Sequence, residues 1–362
     1  RGSAVPHAGT AGSASVDAMT SATAASTPRA TIARRLLWQA ALSALFLLAA
    51  IRTVDGGSLR EALAAAELWW AAPALLLFTT AKFIDSWRWR FLLRGTARLP
   101  QRALFGAFLA GNMVNNLLPL RAGDVAKVQV LGLRYGTSRA ALAASIFIVE
   151  ATLDGVVFVI FLLVALAFFN LGGLPAGGIA ALAGAAALAF SAAVALSRSP
   201  RTAERALRWT PARWRSTLRA GLRDAYAGLY ALRAWRRTVG AVALSVPAWL
   251  VEAGMFALFG RAFDLGLGYP TFVAVMVAAN LAVSVPLALW NFGPYEALVT
   301  GVLLAAGAGE AAALSYALTV HVLTNIWIEV TGLVALWALG VSAREVFSLS
   351  LPNRPAATDA AP

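Results

Sequence analysis

Residues 103–127 read Ala103-Leu104-Phe105-Gly106-Ala107-Phe108-Leu109-Ala110-Gly111-Asn112-Met113-Val114-Asn115-Asn116-Leu117-Leu118-Pro119-Leu120-Arg121-Ala122-Gly123-Asp124-Val125-Ala126-Lys127. The apolar part, 103–118, is shorter than the ~20 residues that a helix needs to cross a bilayer, and Pro119 ends it. Arg88, Arg90, Arg94, Arg98 and Arg102 precede it; Arg121, Lys127, Arg134 and Arg139 follow. Short loops rich in Arg and Lys face the cytoplasm, so both ends are expected on the inner side. A segment that enters and leaves by one face is re-entrant. Such backbone is tolerated at depth only against protein or water.

The whole chain supports a membrane setting. Of its 362 residues 60% are hydrophobic and 13% charged, whereas a soluble domain has roughly 25% charged and 45–50% apolar residues. An ordinary soluble enzyme and a disordered chain are both excluded. The net charge of +13 is explained by cytoplasmic loops and anionic headgroups, so no nucleic-acid partner is expected. There is no Cys, and one of the two His, His7, lies in the N-terminal tail. Disulfides, thiolate chemistry and a metal cluster are therefore not expected, nor is any cofactor.

Full spans are expected at 36–51, 69–93, 140–169, 174–197, 238–263 and 311–340. A second broken stretch, 271–309, is interrupted by Pro286 and by Asn291-Phe292-Gly293-Pro294. The 52–67 loop has no positive excess and is expected outside, as is the uncharged 170–178 loop. The 198–237 segment carries eleven Arg against Glu204 and Asp224. Its Leu and Trp spacing fits a basic amphipathic helix on the inner leaflet. Arg344 and Arg354 place the C-terminus inside, and Arg29, Arg34 and Arg35 do the same for the N-terminus.

The expected fold is an all-α polytopic membrane protein with about six full spans and two re-entrant broken helical hairpins. Residues 1–30 and 346–362 are expected to be disordered tails around one transmembrane domain, 31–345. Its halves, about 69–169 and 238–340, each place a broken hairpin between spans, and the second hairpin enters from outside. Laying the halves over each other matches polar with polar in either of two registers, as an inverted repeat would. Paired broken segments in two inverted halves point to a transporter site near the midplane.

The candidate site residues lie on these pieces. Glu150 and Asp154 are four residues apart and share a helix face. An acid at mid-bilayer costs on the order of 2.5–3.5 kcal/mol, so two imply a partner, protonation or a wet cavity. A tie to Arg121 or Lys127 is the plainer account, and both readings can hold. His321, Asn325 and Glu329 form a stripe at i, i+4 and i+8, read either as helix–helix hydrogen bonding or as the facing cavity wall. Asp124 can cap the helix after Gly123, with Arg121 and Lys127 beside free amides that suit a phosphate. Asn291 and Glu296 mark the second break. Lys82 and Asp85 are expected to pair. Glu252, without a local partner, is expected to face the bundle or a cavity.

The run Pro119-Leu120-Arg121-Ala122-Gly123-Asp124, then Gly136-Thr137-Ser138-Arg139 and Glu150-Ala151-Thr152-Leu153-Asp154, resembles the lysylphosphatidylglycerol synthase transmembrane-region family. The likeness runs from about residue 35 to 345. The family's usual Pro-x-Arg-x-Gly-Glu has Asp124 here, and Ala151 replaces the Arg of its Glu-Arg-x-x-Asp. The Pro-Gly-Gly-x-Gly pattern of the second half is reduced to Asn291-Phe292-Gly293-Pro294, followed by Tyr295-Glu296. The resemblance implies a flippase-like domain with a cavity between inverted halves. With about twenty residues after 340, the chain is expected to be a stand-alone member without the aminoacyl-transferase domain.

The expected function is a lipid flippase of the bacterial cytoplasmic membrane, not an enzyme. It would move a phospholipid, an aminoacyl-phospholipid or a polyprenyl-phosphate-linked lipid. The alternative is a non-transporting subunit that presents lipid to a glycosyltransferase or another lipid-modifying enzyme. The expected partners are membrane lipids, anionic or phosphate-bearing; a second copy of the chain or a lipid-modifying enzyme is the candidate protein partner.

Overall fold

The computed structural model describes residues 55–93, 97–118, 122–147, 154–169, 235–284 and 291–342, with a few isolated positions besides. Every regular element among the described residues is helical. In chain order these are α1 (Gly56–Ala65), a 3-10 turn (Leu68–Trp70), α2 (Ala71–Leu93), α3 (Gln101–Leu117), α4 (Ala122–Tyr135) and α5 (Arg139–Phe147). They continue as α6 (Gly155–Phe169), α7 (Trp235–Ala262), α8 (Tyr269–Ser284), α9 (Pro294–Ala305) and α10 (Glu310–Leu339).

Among the described residues two helices are long and apolar enough to cross a membrane, Val239–Ala262 within α7 and Glu310–Leu339. A third arises if α1 and the Leu68–Leu93 segment, bent by 64° at their junction, count as one span. The spans expected at 36–51 and 174–197, the two tails, and the 198–237 connector up to Ala234 lie outside the described residues. The described residues of the 140–169 run fall into α5 and α6. The 52–67 stretch, expected as a loop, contains a helix. Asp55 caps α1 by accepting the Ser58 N–H at 2.9 Å, the preferred chemistry for a helix start. That backbone bond also holds the Asp55 carboxyl below its ordinary range.

Helices α2 and α7 form the most extensive interface. They run antiparallel: Gly254 abuts Leu77, Lys82 meets Glu252, and Gly240 abuts Phe91. Pro247, inside α7, leaves the Ala243 carbonyl without its intrahelical donor. Helix α3 runs antiparallel to α10, with Gly106 against Leu339 and Met113 against Gly332. Side-chain hydrogen bonds tie the bundle crosswise, as membrane bundles require in place of a hydrophobic drive. Trp327 Nε1 donates to Thr79 at 2.8 Å, Tyr316 donates to the Phe256 carbonyl at 2.8 Å, and Trp89 Nε1 donates to Ser145 at 2.9 Å.

Buried apolar side chains form two clusters. One gathers α3, α4, α5 and the ends of α2 and α10; the other gathers α8, α9, the later part of α7 and the starts of α2 and α10. Ile328 borders both. A polar cavity lies beside it.

Two short helix pairs carry the walls of that cavity. Helices α3 and α4 cross at backbone contact distance. A Cβ on Gly123 would lie 1.9 Å from the Gly111 carbonyl oxygen, and one on Gly111 would lie 2.4 Å from Lys127 Cγ. No L side chain fits there, which explains both glycines physically. The Gly123 N–H donates to Asn115 Oδ1 at 2.7 Å, so α3 supplies a capping acceptor to the first turn of α4. Gly123→Ala is expected to force the pair apart at a cost of about 1–3 kcal/mol. Thermal unfolding of purified protein in detergent would register this as a clear fall in Tm, whereas Gly136→Ala, where a Cβ meets open space, reports only the strain of its left-handed backbone.

Candidate functional site

The cavity has a volume of about 680 Å³ and receives side chains from both parts of the chain. Lys82 and Asp85 come from α2, Asn112 and Asn115 from α3, and Asp124 and Lys127 from α4. Asp154 precedes α6. Glu252, Asn280, Asn291, His321 and Asn325 complete the polar wall from the second part. Among the described residues, four carboxylates and two ammonium groups lie on this surface.

Most of these charges belong to one ladder. Arg88 has no solvent exposure. Its guanidinium bonds both oxygens of Asp154, one of them at 2.7 Å, and it reaches Ser245 at 2.5 Å and Asp85 at 3.4 Å. Asp85 in turn lies 3.6 Å from Lys82, whose Nζ is 2.8 Å from Glu252. Glu252 accepts the Asn280 amide at 2.9 Å, and Trp249 Nε1 approaches Asp154 at 3.4 Å. The ladder thus alternates in sign across α2, α6, α7 and α8. The spacing 82, 85, 88 puts its α2 members on one face, one turn apart. A bidentate guanidinium–carboxylate pair is the strongest form of such a contact.

Two further clusters sit near the middle of α10. At one, His321 Nδ1 meets Glu296 Oε1 at 2.6 Å, while Glu296 Oε2 accepts the Gly293 N–H at 2.6 Å. The His321 ring stacks on Tyr295 with centroids 3.9 Å apart. The chain bends here through two left-handed residues, Asn291 at φ 58° and Gly293 at φ 98°. Asparagine tolerates that region better than other side chains. At the other cluster, Asn116 on α3 donates to Glu329 at 2.9 Å. On the α4 side Lys127, 1% exposed, pairs with Asp124 at 3.0 Å and lies 4.1 Å above the Phe108 ring.

The sequence-derived candidates distribute as follows. Asp124, Lys127, Asp154, Asn291, His321 and Asn325 line the cavity. Glu329 reaches it through Asn116, which does line it. Glu296, with no solvent exposure, stands behind His321 as a clamp on the turn. Arg121 and Glu150 lie outside the described residues.

The structure corrects two expectations and extends a third. Asp154 is held by Arg88 rather than tied to Lys127, whose partner is Asp124 one turn away. Arg88 does not belong to the cytoplasmic arginine flank; it points into the bundle three residues after Asp85, while Arg90 faces outward. Lys82 does pair with Asp85, but its nearer partner is Glu252, which supplies the partner Glu252 lacked locally. Arg88, Asn112 and Asn280 were missed as site residues. The available signal was the 82, 85, 88 spacing of charges in an apolar helix. Among the described residues no three His, Asp or Glu side chains stand together as metal ligands would.

Removing Arg88 takes the guanidinium from Asp154 and leaves Asp85 to the slightly more distant Lys82. Arg88→Ala is therefore expected to destabilise the protein by about 3–5 kcal/mol. Pairing Arg88→Met with Asp154→Asn should recover part of that loss. A double-mutant cycle on thermal unfolding in detergent measures the coupling, and strict additivity of the two changes would contradict the ladder.

No curated protein matches the chain. The family model of the lysylphosphatidylglycerol synthase TM region matches residues 36–332. That stretch contains the charge ladder, both α10 clusters and every described residue that lines the cavity, and most of the chain's length lies within it. The chain belongs to the lysylphosphatidylglycerol synthase TM-region family.

Proposed function

We propose that this membrane protein is a lipid translocase, with the cavity as the path of the headgroup. The supporting observation is the set of ionised and amide side chains that two short helix pairs and the α2–α7 ladder bring to one space of about 680 Å³. Intramembrane ionisable groups that face a cavity mark a polar path. In this reading α3–α4 and α8–α9 are re-entrant hairpins. They reach the middle of α10 from its Leu339 end and its Glu310 end respectively, within an inverted arrangement of about six spans. The Arg-rich end faces the cytoplasm of a bacterial inner membrane, with both termini on that side.

The headgroup would leave water for the ladder and the amides while the acyl tails stay in lipid. Among the described residues the four lining carboxylates meet Lys82, Lys127 and the buried Arg88 behind them, an excess of one negative charge that favours a headgroup with a positive group beside its phosphate. A polyprenyl phosphate, purely anionic, would meet cations that already have carboxylate partners. The chain in this reading binds and passes lipid without covalent chemistry, so it is not an enzyme.

Proteoliposomes with fluorescent headgroup-bearing phospholipids test the proposal. The wild-type protein is expected to expose inner-leaflet lipid to an external quencher within minutes. Asn112→Leu and Lys127→Gln should each slow this at least about tenfold, the scale of one lost charged or desolvated polar contact. Wild-type rates in both folded variants would overturn the assignment. A purified wild-type protein without flux that co-isolates with a lipid-modifying enzyme would instead favour a subunit that presents lipid.

A further inference from the structure

A second cavity, of about 710 Å³, lies away from the first, on the flank of the bundle where α3, α4 and α10 meet. Its walls are apolar: Phe105 and Leu109 from α3 face Trp327, Val330 and Val334 from α10. Arg102 and Arg134 border it, together with Tyr135. Arg102 opens α3 and Arg134 closes α4, so both stand at the Leu339 end of α10. Arg134 also reaches the left-handed cap of α10, its Nη2 lying 3.5 Å from where a Cβ on Gly340 would be. Both arginines are exposed, and neither forms an ion pair among the described residues. The contrast with Arg88, Lys82 and Lys127, each held by a carboxylate, is complete.

The geometry points to a binding site for one anionic phospholipid of the adjacent leaflet, its phosphate between Arg102 and Arg134 and one acyl chain in the α3–α10 groove. Charge selects this occupant. Two guanidinium groups at the end of an apolar slot match a phosphodiester at the end of a hydrocarbon chain, and guanidinium groups bind phosphate bidentately. Among the described residues no carboxylate lies on the slot's wall to neutralise them. Helix α3 is shared: Phe105 and Leu109 face the slot, while Asn112, Asn115 and Asn116 face the polar cavity. The bound lipid would therefore brace the helix that carries the Asn116–Glu329 contact, without itself entering the polar path. The inference does not depend on translocation.

Native mass spectrometry of the full chain, released from nanodiscs of phosphatidylglycerol and phosphatidylcholine, tests it. The wild-type protein is expected to retain one phosphatidylglycerol and to prefer it over phosphatidylcholine. Arg102→Gln with Arg134→Gln should cut that retention about tenfold or more. Arg102→Lys with Arg134→Lys should restore part of it. Ala338→Trp, which keeps both charges and narrows the slot, should reduce retention of either lipid. Arg60→Gln, which removes an exposed cation of α1 near the Glu310 end of α10, away from both cavities, should leave retention unchanged. Equal phosphatidylglycerol retention by the wild type and the Gln pair would overturn the proposal. So would disulfide-linked dimers of Val334→Cys, which would give the slot to a second copy; the chain has no other Cys to confuse that readout.

Discussion

A guanidinium without solvent exposure persists inside an apolar bundle only where carboxylates neutralise it. Arg88 meets that condition through Asp85 on its own helix and Asp154 at the start of α6. The requirement reaches further than one pair. Asp85 also faces Lys82, Lys82 needs Glu252, and Glu252 draws in Asn280 from α8. Four helices are thereby held in register by a single chain of alternating charge. Moving any one of these groups weakens the hold on its neighbours.

That constraint also shapes the cavity. An apolar interior packs to closure by dispersion contacts, but solvated or paired charges keep their own spacing. The two apolar clusters stop on either side of the ladder, and the space between them stays polar. The short helices then add amides rather than further hydrocarbon. Asn115 accepts the Gly123 N–H in the first turn of α4, and Glu296 accepts the Gly293 N–H just before α9, so a side chain satisfies a backbone donor at the start of each of these helices.

Much of this is legible in the amino-acid sequence. The boundaries of α3, α7 and α10 follow from apolar length, Pro119 and glycine placement, and the interruption near Asn291 follows from its Asn-Phe-Gly-Pro chemistry. The identity of charge partners was not readable. Asp154 lies 66 residues from Arg88, and no local spacing selects Arg88 over Lys127. Arg88 was counted with the exposed arginines because span ends and buried cations look alike in a linear chain; only the helical phase from Asp85 separates them. Glu296 was legible as important and not as a clamp, because its role depends on the positive φ of Gly293, a backbone property that composition does not encode. The α1 helix was missed because the charged, Ala-rich 52–67 stretch was weighed for its sign rather than for Asp55 as a cap.

His321 and Glu329 are eight residues apart on one continuous helix, about 12 Å along its axis. Each grips a different short pair, His321 through Glu296 and Glu329 through Asn116. Helix α10 is therefore a common shaft with two catches. An axial slide by one turn would release both together, so by that motion the catches act in unison, and only bending within the few residues between them would let one open while the other stays shut.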